Sequence, residues 1–282
     1  MLPPTRVGAM ACAIDRGTDW VAPGAAACAV GAAEATRDRP NAVAQVMTSR
    51  RGRRSTCEAK GKANCAEADA SLTFELVGEP FRGWTEDFQR FFIGLELDNS
   101  KSYFETNRGL YLDRVRGPME ALLAALEPEF GKGKVARANR DIRFSNDKSP
   151  YKTNIYAMNP GGYVALDARG LTSAAGRYEL EKSQLDTYRE AVIAEASGSR
   201  LLAIVHGLEA TGYEVGGEEL KRTPPGLSAD HPRARLLRHK RLYVWKNFGL
   251  QPWLGTAAAK DRVVEVWRDA KPLSEWFDQV LE

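Results

Sequence analysis

Apolar residues in this chain change period twice, and the order of those changes constrains the fold more than any other feature. Phe88, Phe91, Phe92 and Leu95 fall at i, i+3, i+4 and i+7, one face of a helix. Thr85 stands where an N-cap belongs, with Glu86 and Asp87 in the first turn. A second helix, capped by Asn99 or Ser100, carries Tyr103, Phe104, Tyr111 and Val115. Pro118 opens a third, with Met119, Leu122, Leu123 and Leu126 on one face, and Pro128 and Gly131 close it. The pattern then reads as strands over Val135 to Phe144, Tyr163 to Leu166 and Arg177 to Leu180, joined through Gly161, Gly162 and Gly170. Helical spacing returns over Gln184 to Glu195, and again from Ser199 to just before Gly212. A Gly-Pro-rich connection runs through Gly216, Gly217 and Pro224 to Gly226, and Leu242 to Phe248 reads as a strand. Two closing helices hold Val263 and Trp267, then Leu273, Trp276, Phe277 and Val280. Helices, then strands, then helices predict an α+β fold, an antiparallel or mixed sheet packed with several helices, rather than alternating βαβ units.

Charge and cysteine divide the chain at the same place. Residues 1–72 hold 10 Lys and Arg against 7 Asp and Glu, and the remainder holds 30 of each sign. Cys12, Cys28, Cys57 and Cys65 all precede residue 72, without a C-x-x-C pair, so paired zinc ligands are not expected. The first 72 residues show no sustained period and include the basic run Arg50, Arg51, Arg53 and Arg54. They read as a disordered tail, a transit peptide or translation from a start codon upstream of the true one. The abrupt onset of orderly signals near Leu72 favours the last. A single α+β domain is expected over residues 73–282. No run approaches the roughly 18 apolar residues that span a bilayer, and no signal peptide opens the chain. A cytoplasmic protein without a membrane partner is the reading. A neutral domain argues against broad nucleic-acid affinity.

The chemistry concentrates between Arg140 and Lys152, where four basic and two acidic residues occupy 13 positions. Alternation along a strand places Arg137, Asn139, Asp141 and Arg143 on one face and Ala138, Arg140, Ile142 and Phe144 on the other. Arg140 thus shares an apolar face and needs a carboxylate or ligand partner. Asp147 can cap a turn, and Lys148 and Lys152 flank Pro150. Arg140, Arg143, Lys148 and Lys152 are candidates to hold a phosphate or carboxylate. Asp141 and Asp147 could orient those cations or exchange protons. Tyr151, between two lysines, is the best candidate for a stacking platform. The alternative reading of the same residues, and the blander one, is a structural salt-bridge network in a non-enzymatic interaction domain for protein or nucleic acid.

This stretch, R-D-I-R-F-S-x-D-K-S-P-Y-K, resembles the most recognisable block of a bacterial domain-of-unknown-function family, numbered 2461. Three further blocks agree: Leu97 to Phe104 with Asn107 and Arg108; Arg116 to Met119; and Leu220 to Arg222 with Pro225-Gly226, Asp230 to Pro232 and Leu236 to Lys240. The resemblance covers roughly residues 81–282, leaves residues 1–72 outside the domain and implies no activity. The chain departs from it at Asn154, where relatives often carry His, and at Ser173-Ala174-Ala175-Gly176, where relatives often carry a Gly-rich turn.

Elsewhere the signals are weaker. His206 lies in an apolar helical run and reads as packing. His231, between Asp230 and Pro232, reads as the start of a helix with the Asp as cap. His239, followed by Lys240 and Arg241, is a candidate second wall of the anion site, or simply positive charge at a helix end. No metal-ligand spacing, nucleophile elbow or phosphate-binding loop occurs, and no cofactor is expected.

Overall fold

The structure, a computed structural model, describes residues 80–143 and 147–281. The expectations for residues 1–72, the domain start at 73 and the cysteines lie outside the described residues.

Helix α1 (Asp87–Leu97) buries Phe88, Phe91, Phe92 and Leu95, the four residues its spacing singles out. Thr85 is not its N-cap: Glu86 holds that place, and the Thr85 hydroxyl donates to Asp87 Oδ2 at 3.0 Å. Helix α2 (Lys101–Thr106) is capped by Ser100, whose hydroxyl accepts from Tyr103 N at 3.1 Å. Asn99 is thereby left for another task. The short helix α3 (Arg108–Leu110) leads into a π-helical stretch, Tyr111–Arg116, and then α4 (Gly117–Phe130). The wide turns have a local cause. Pro118 has no N–H to give to the preceding turn, and Gly117 N reaches back five residues to Leu112 O. Pro128 lies within the last turn of α4, and Gly131, at φ +81°, ends it.

Six strands form one antiparallel sheet among the described residues: β1 (Lys134–Val135), β2 (Asn154–Asn159), β3 (Gly162–Asp167), β4 (Gly170–Arg177), β5 (Glu214–Gly216) and β6 (Leu242–Gly249). Their order is β1-β2-β3-β4-β6-β5. The α+β expectation holds, and of the two sheet types it is the antiparallel one. Several strand assignments change, and β2 lies where no strand was expected. The strand expected over Val135 to Phe144 ends at Val135. Val135 pairs with Ala157 but Asn139 bridges Tyr151, so two extra residues on the partner side break the register. The strand expected at Arg177 to Leu180 instead ends at Arg177. Ser173 to Gly176 therefore lie within β4 rather than in a turn. Gly216 belongs to β5 rather than to the connection.

Helices α5 (Lys182–Ile193) and α6 (Glu195–Ala210) follow β4, and the short α7 (Ala234–Arg238) precedes β6. A 3-10 turn, Pro252–Gly255, leads to α8 (Ala258–Asp269) and α9 (Lys271–Leu281), which bury Val263 and Trp267, and Leu273, Trp276 and Phe277. No single described helix is long and apolar enough to cross a membrane.

Register and alternation sort the sheet side chains onto two faces. Ile155, Ala157, Val164, Leu166, Leu242 and Val244 share one face and join the helices in a continuous core. Trp267 of α8 closes on that side, its Nε1 donating to Tyr163 O at 3.4 Å. The opposite face carries Tyr156, Tyr163, Ala174, Tyr243 and Trp245, none of which belongs to that core.

Candidate functional site

Residues 136–143 and 147–152 form a limb at the edge of the sheet. Beyond β1 a sparse ladder continues: Ala136 N donates to Tyr156 O, Lys152 N to Ala138 O and Arg140 N to Pro150 O, each at 2.9 Å. Pro150 has no N–H to donate in return. Strict alternation is therefore lost, and Ile142, assigned to an inner face by the sequence pattern, is exposed.

Within the limb the charged side chains hold its own backbone and each other. Arg140, as its half-apolar setting demands, pairs with a carboxylate, Asp147 Oδ2. The other oxygen of Asp147 accepts from Ser149 N at 2.9 Å and from the Ser149 hydroxyl, the side-chain turn expected of it. Arg143 clasps Asp141 in a fork, Nε to Oδ1 at 2.9 Å and Nη2 to Oδ2 at 2.5 Å. Arg143 holds the Asp141 carboxyl well below the usual carboxylate range through its guanidinium and its backbone N–H. A carboxylate so firmly ionised is a poor general acid or base near neutrality. Lys148 Nζ donates to Ile142 O at 2.9 Å. Among the described residues, Arg143, Lys148 and Lys152 each reach a different partner.

Tyr151 turns inward. Its ring is 6% exposed and stacks on Phe104 with centroids 4.1 Å apart and planes at 4°, so it is no exposed platform. Asn99 pins its backbone from both sides, donating to Tyr151 O and accepting from Tyr151 N at 3.0 Å each. The Leu97 to Phe104 block and the limb are thus joined directly, a link no local pattern reveals.

Lys152 points the other way. Its Nζ donates to Arg137 O at 3.2 Å and to the Tyr156 hydroxyl at 3.4 Å, and lies 4.8 Å from the centre of the Tyr156 ring. Tyr156 stacks on Tyr163 at 5.4 Å, and Tyr243 contacts both Tyr178, at 5.8 Å, and Trp245, at 5.4 Å. Arg241 lies 4.8 Å over the Tyr178 ring. Asn154, at the histidine-bearing position of relatives, opens β2 on the same face, opposite Asp167. The sequence shows each of these rings but not their assembly, which depends on strand register.

His239 is not brought to the limb by any interaction among the described residues. It caps the C-terminus of α7, bridges Glu219 across the backbone and is 1% exposed. Its Nε2 lies 3.2 Å from Glu219 Oε1, yet the direction is poor and neither ring nitrogen has a hydrogen bond among the described residues. Burial pushes the imidazole below its ordinary value of 6.5, against the opposing pull of Glu219. The ring of His231 accepts from Arg233 N at 3.0 Å, so the histidine itself caps the turn expected of Asp230. Nothing in the sequence pattern singles out Arg233, which is 6% exposed. It donates to Val192 O at 2.7 Å, Ile193 O at 2.9 Å and Glu195 at 3.2 Å, closing the end of α5. No group of three or more metal-ligating side chains gathers among the described residues.

No curated protein and no solved structure matches the chain. The family model described as Conserved hypothetical protein (DUF2461) matches residues 87–276, spanning the limb, the sheet and all but the end of the last helix, and the chain belongs to that family.

Proposed function

We propose that the domain binds a small anionic ligand, a phosphate or carboxylate compound, where the limb meets the aromatic face of the sheet. The observation that carries this reading is the position of Lys152. Of the cations expected to hold an anion, it is the one seen against that face, over the ring of Tyr156, which itself stacks on Tyr163. A lysine ammonium is a point charge with three rotatable donors, and its bonds to a carbonyl and a phenol among the described residues can be exchanged for a bond to an incoming anion. Asn154, with an amide that both donates and accepts, is on the same face.

For Arg140 and Arg143 the bracing role is the better supported. Their carboxylate partners, Asp147 and Asp141, are seven and two residues away in the limb itself. In this reading the arginines set the shape of the limb and Lys152 meets the ligand. The experiment is calorimetric titration of the full chain with orthophosphate and with succinate, wild type against Lys152→Met. A charge-assisted hydrogen bond is worth about 1.5–3 kcal/mol, so affinity should fall by about tenfold or more. Equal affinity in the variant would remove Lys152 from the site.

A further inference from the structure

The outer face of α1 carries two aliphatic side chains that its own fold does not cover. Leu97, which opens the Leu97 to Phe104 block, is 84% exposed, and Ile93, one turn earlier, is 45% exposed. A third aliphatic residue of this surface, Leu250, is 47% exposed. The turn between β3 and β4 joins the two parts. Gln89, one turn before Ile93, donates from Nε2 to Ala168 O at 3.3 Å, and Gly170 packs directly on the backbone of Gly249 and Leu250. Exposed aliphatic residues scattered singly need no explanation, but three on one continuous surface do.

The same surface contains a hole. A pocket of about 510 Å³ opens between the first turn of α1 and the 3-10 turn at Pro252–Gly255, whose walls are held together by Trp84 N donating to Leu254 O at 2.7 Å. Its floor is Trp84, Phe88 and Leu254, all buried, and its rim includes Gln89 and Leu250. The surface thus has a protruding leucine at one end of α1 and an apolar pocket at the other.

Knob and hole are spaced so that two copies can fill one another. Gln89, Ile93 and Leu97 stand at i, i+4 and i+8 along one side of the helix. Gln89 and Leu97 are each four residues from Ile93, about 6 Å along the axis. A two-fold axis crossing α1 at Ile93 therefore lays the helices antiparallel and sets Leu97 of each copy against the pocket rim at Gln89 of the other. A self-complementary patch of this kind is what a closed two-fold dimer requires. Charge agrees with it. Glu86 and Lys101, both exposed, lie at opposite ends of α1, so the antiparallel arrangement brings each to the end where its opposite stands on the other copy.

We propose that this face of α1 is a two-fold interface between two copies of the chain, with Ile93 at the axis and Leu97 of each copy seated in the pocket of the other. An aliphatic anchor in an apolar pocket is the usual centre of an interface. One helix face and one pocket are small beside the roughly 800 Å² per partner of a standard interface, so the dimer is weak and concentration-dependent.

The test is sedimentation velocity on the full chain from about 1 µM to about 1 mM. Wild type should pass from monomer to dimer within that range. Leu97→Glu should stay monomeric throughout, with its thermal midpoint unchanged because the side chain is exposed within its own chain. Ile93→Cys, with Cys12, Cys28, Cys57 and Cys65 replaced by Ser, should cross-link to a covalent dimer under mild oxidation, because the axis sets residue 93 opposite itself. Ile193→Cys, exposed on α5, should not cross-link in the same background. A wild type that remains monomeric at every concentration overturns the proposal. So does a dimer that persists in Leu97→Glu. Dimer loss in Leu97→Glu without cross-linking of Ile93→Cys would show a contact of other geometry and overturn the two-fold arrangement.

Discussion

The amide of Asn99 and the backbone of Tyr151 form a closed pair of hydrogen bonds, 3.0 Å in each direction, 52 residues apart in the chain. This pair fixes the end of the charged limb to the start of α2. The ring of Tyr151 completes the joint by stacking on Phe104 of that helix.

Asn99→Ala leaves one partly buried N–H and one C=O without partners, which is expected to cost about 2 kcal/mol of stability. Urea denaturation measures it. Asn99→Asp should recover the acceptor half and not the donor half.

Phe104→Ala removes the stacking partner of a buried ring and opens a cavity beneath the limb. A destabilisation of about 3 kcal/mol is expected, again by denaturation. Amide exchange should speed up in the limb more than in β3 and β4, because the stack of Phe104 on Tyr151 is what ties the limb down.

The Asp141 carboxyl is held below its ordinary 3.8 by Arg143. A depressed carboxyl pKa stabilises the native form above the unfolded value, and the stabilisation is lost as pH falls through the folded one. The ordering of residues 141–143, followed by amide exchange or NMR, should therefore persist from neutral pH to below 3.8 and disappear only in stronger acid. Arg143→Ala should move that transition upward in pH. Because the Arg143 guanidinium is solvent-facing and the pair is screened from that side, the thermal midpoint at neutral pH should scarcely change.

His239 gives a separate pH dependence. Burial holds its imidazole neutral, with Arg235 and Arg238 reinforcing burial and Glu219 opposing it. The folded pKa is below the unfolded one, so the unfolded chain binds more protons just below pH 6.5. Stability should fall as pH drops from about 6.5 toward the folded pKa, and His239→Gln should flatten that slope. An unchanged slope in the variant would show that another group dominates.

The longer helices are legible in the sequence because they repeat their apolar residues along one buried face, as Phe88, Phe91, Phe92 and Leu95 do. The strands are less so. Val135 to Phe144 alternates like a strand, yet pairing requires a partner in register, and the two-residue mismatch against 151–157 is a property of both segments together. The π-helical turns before Pro118 have no period of their own. Within the limb, the carboxylate partner of Arg140 and the turn at Asp147 follow from local chemistry and are legible. The inward turn of Tyr151 and the burial of His239 depend on distant residues, Phe104 and Glu219, and are not. The aromatic face is least legible, since Tyr156, Tyr163, Tyr243 and Trp245 meet only through the order in which β2, β3, β4 and β6 pair.

The position of Lys152 is tested most directly by thermal unfolding of the full chain, wild type and Lys152→Met, with orthophosphate, succinate and AMP each titrated to saturation. A ligand that binds the native state raises the midpoint, by an amount that grows with the logarithm of its concentration relative to Kd. At least one of the three should raise the wild-type midpoint and raise that of Lys152→Met much less at the same concentration. Equal shifts in the two proteins, or no shift with any of the three, would contradict an anion site at the meeting of limb and sheet.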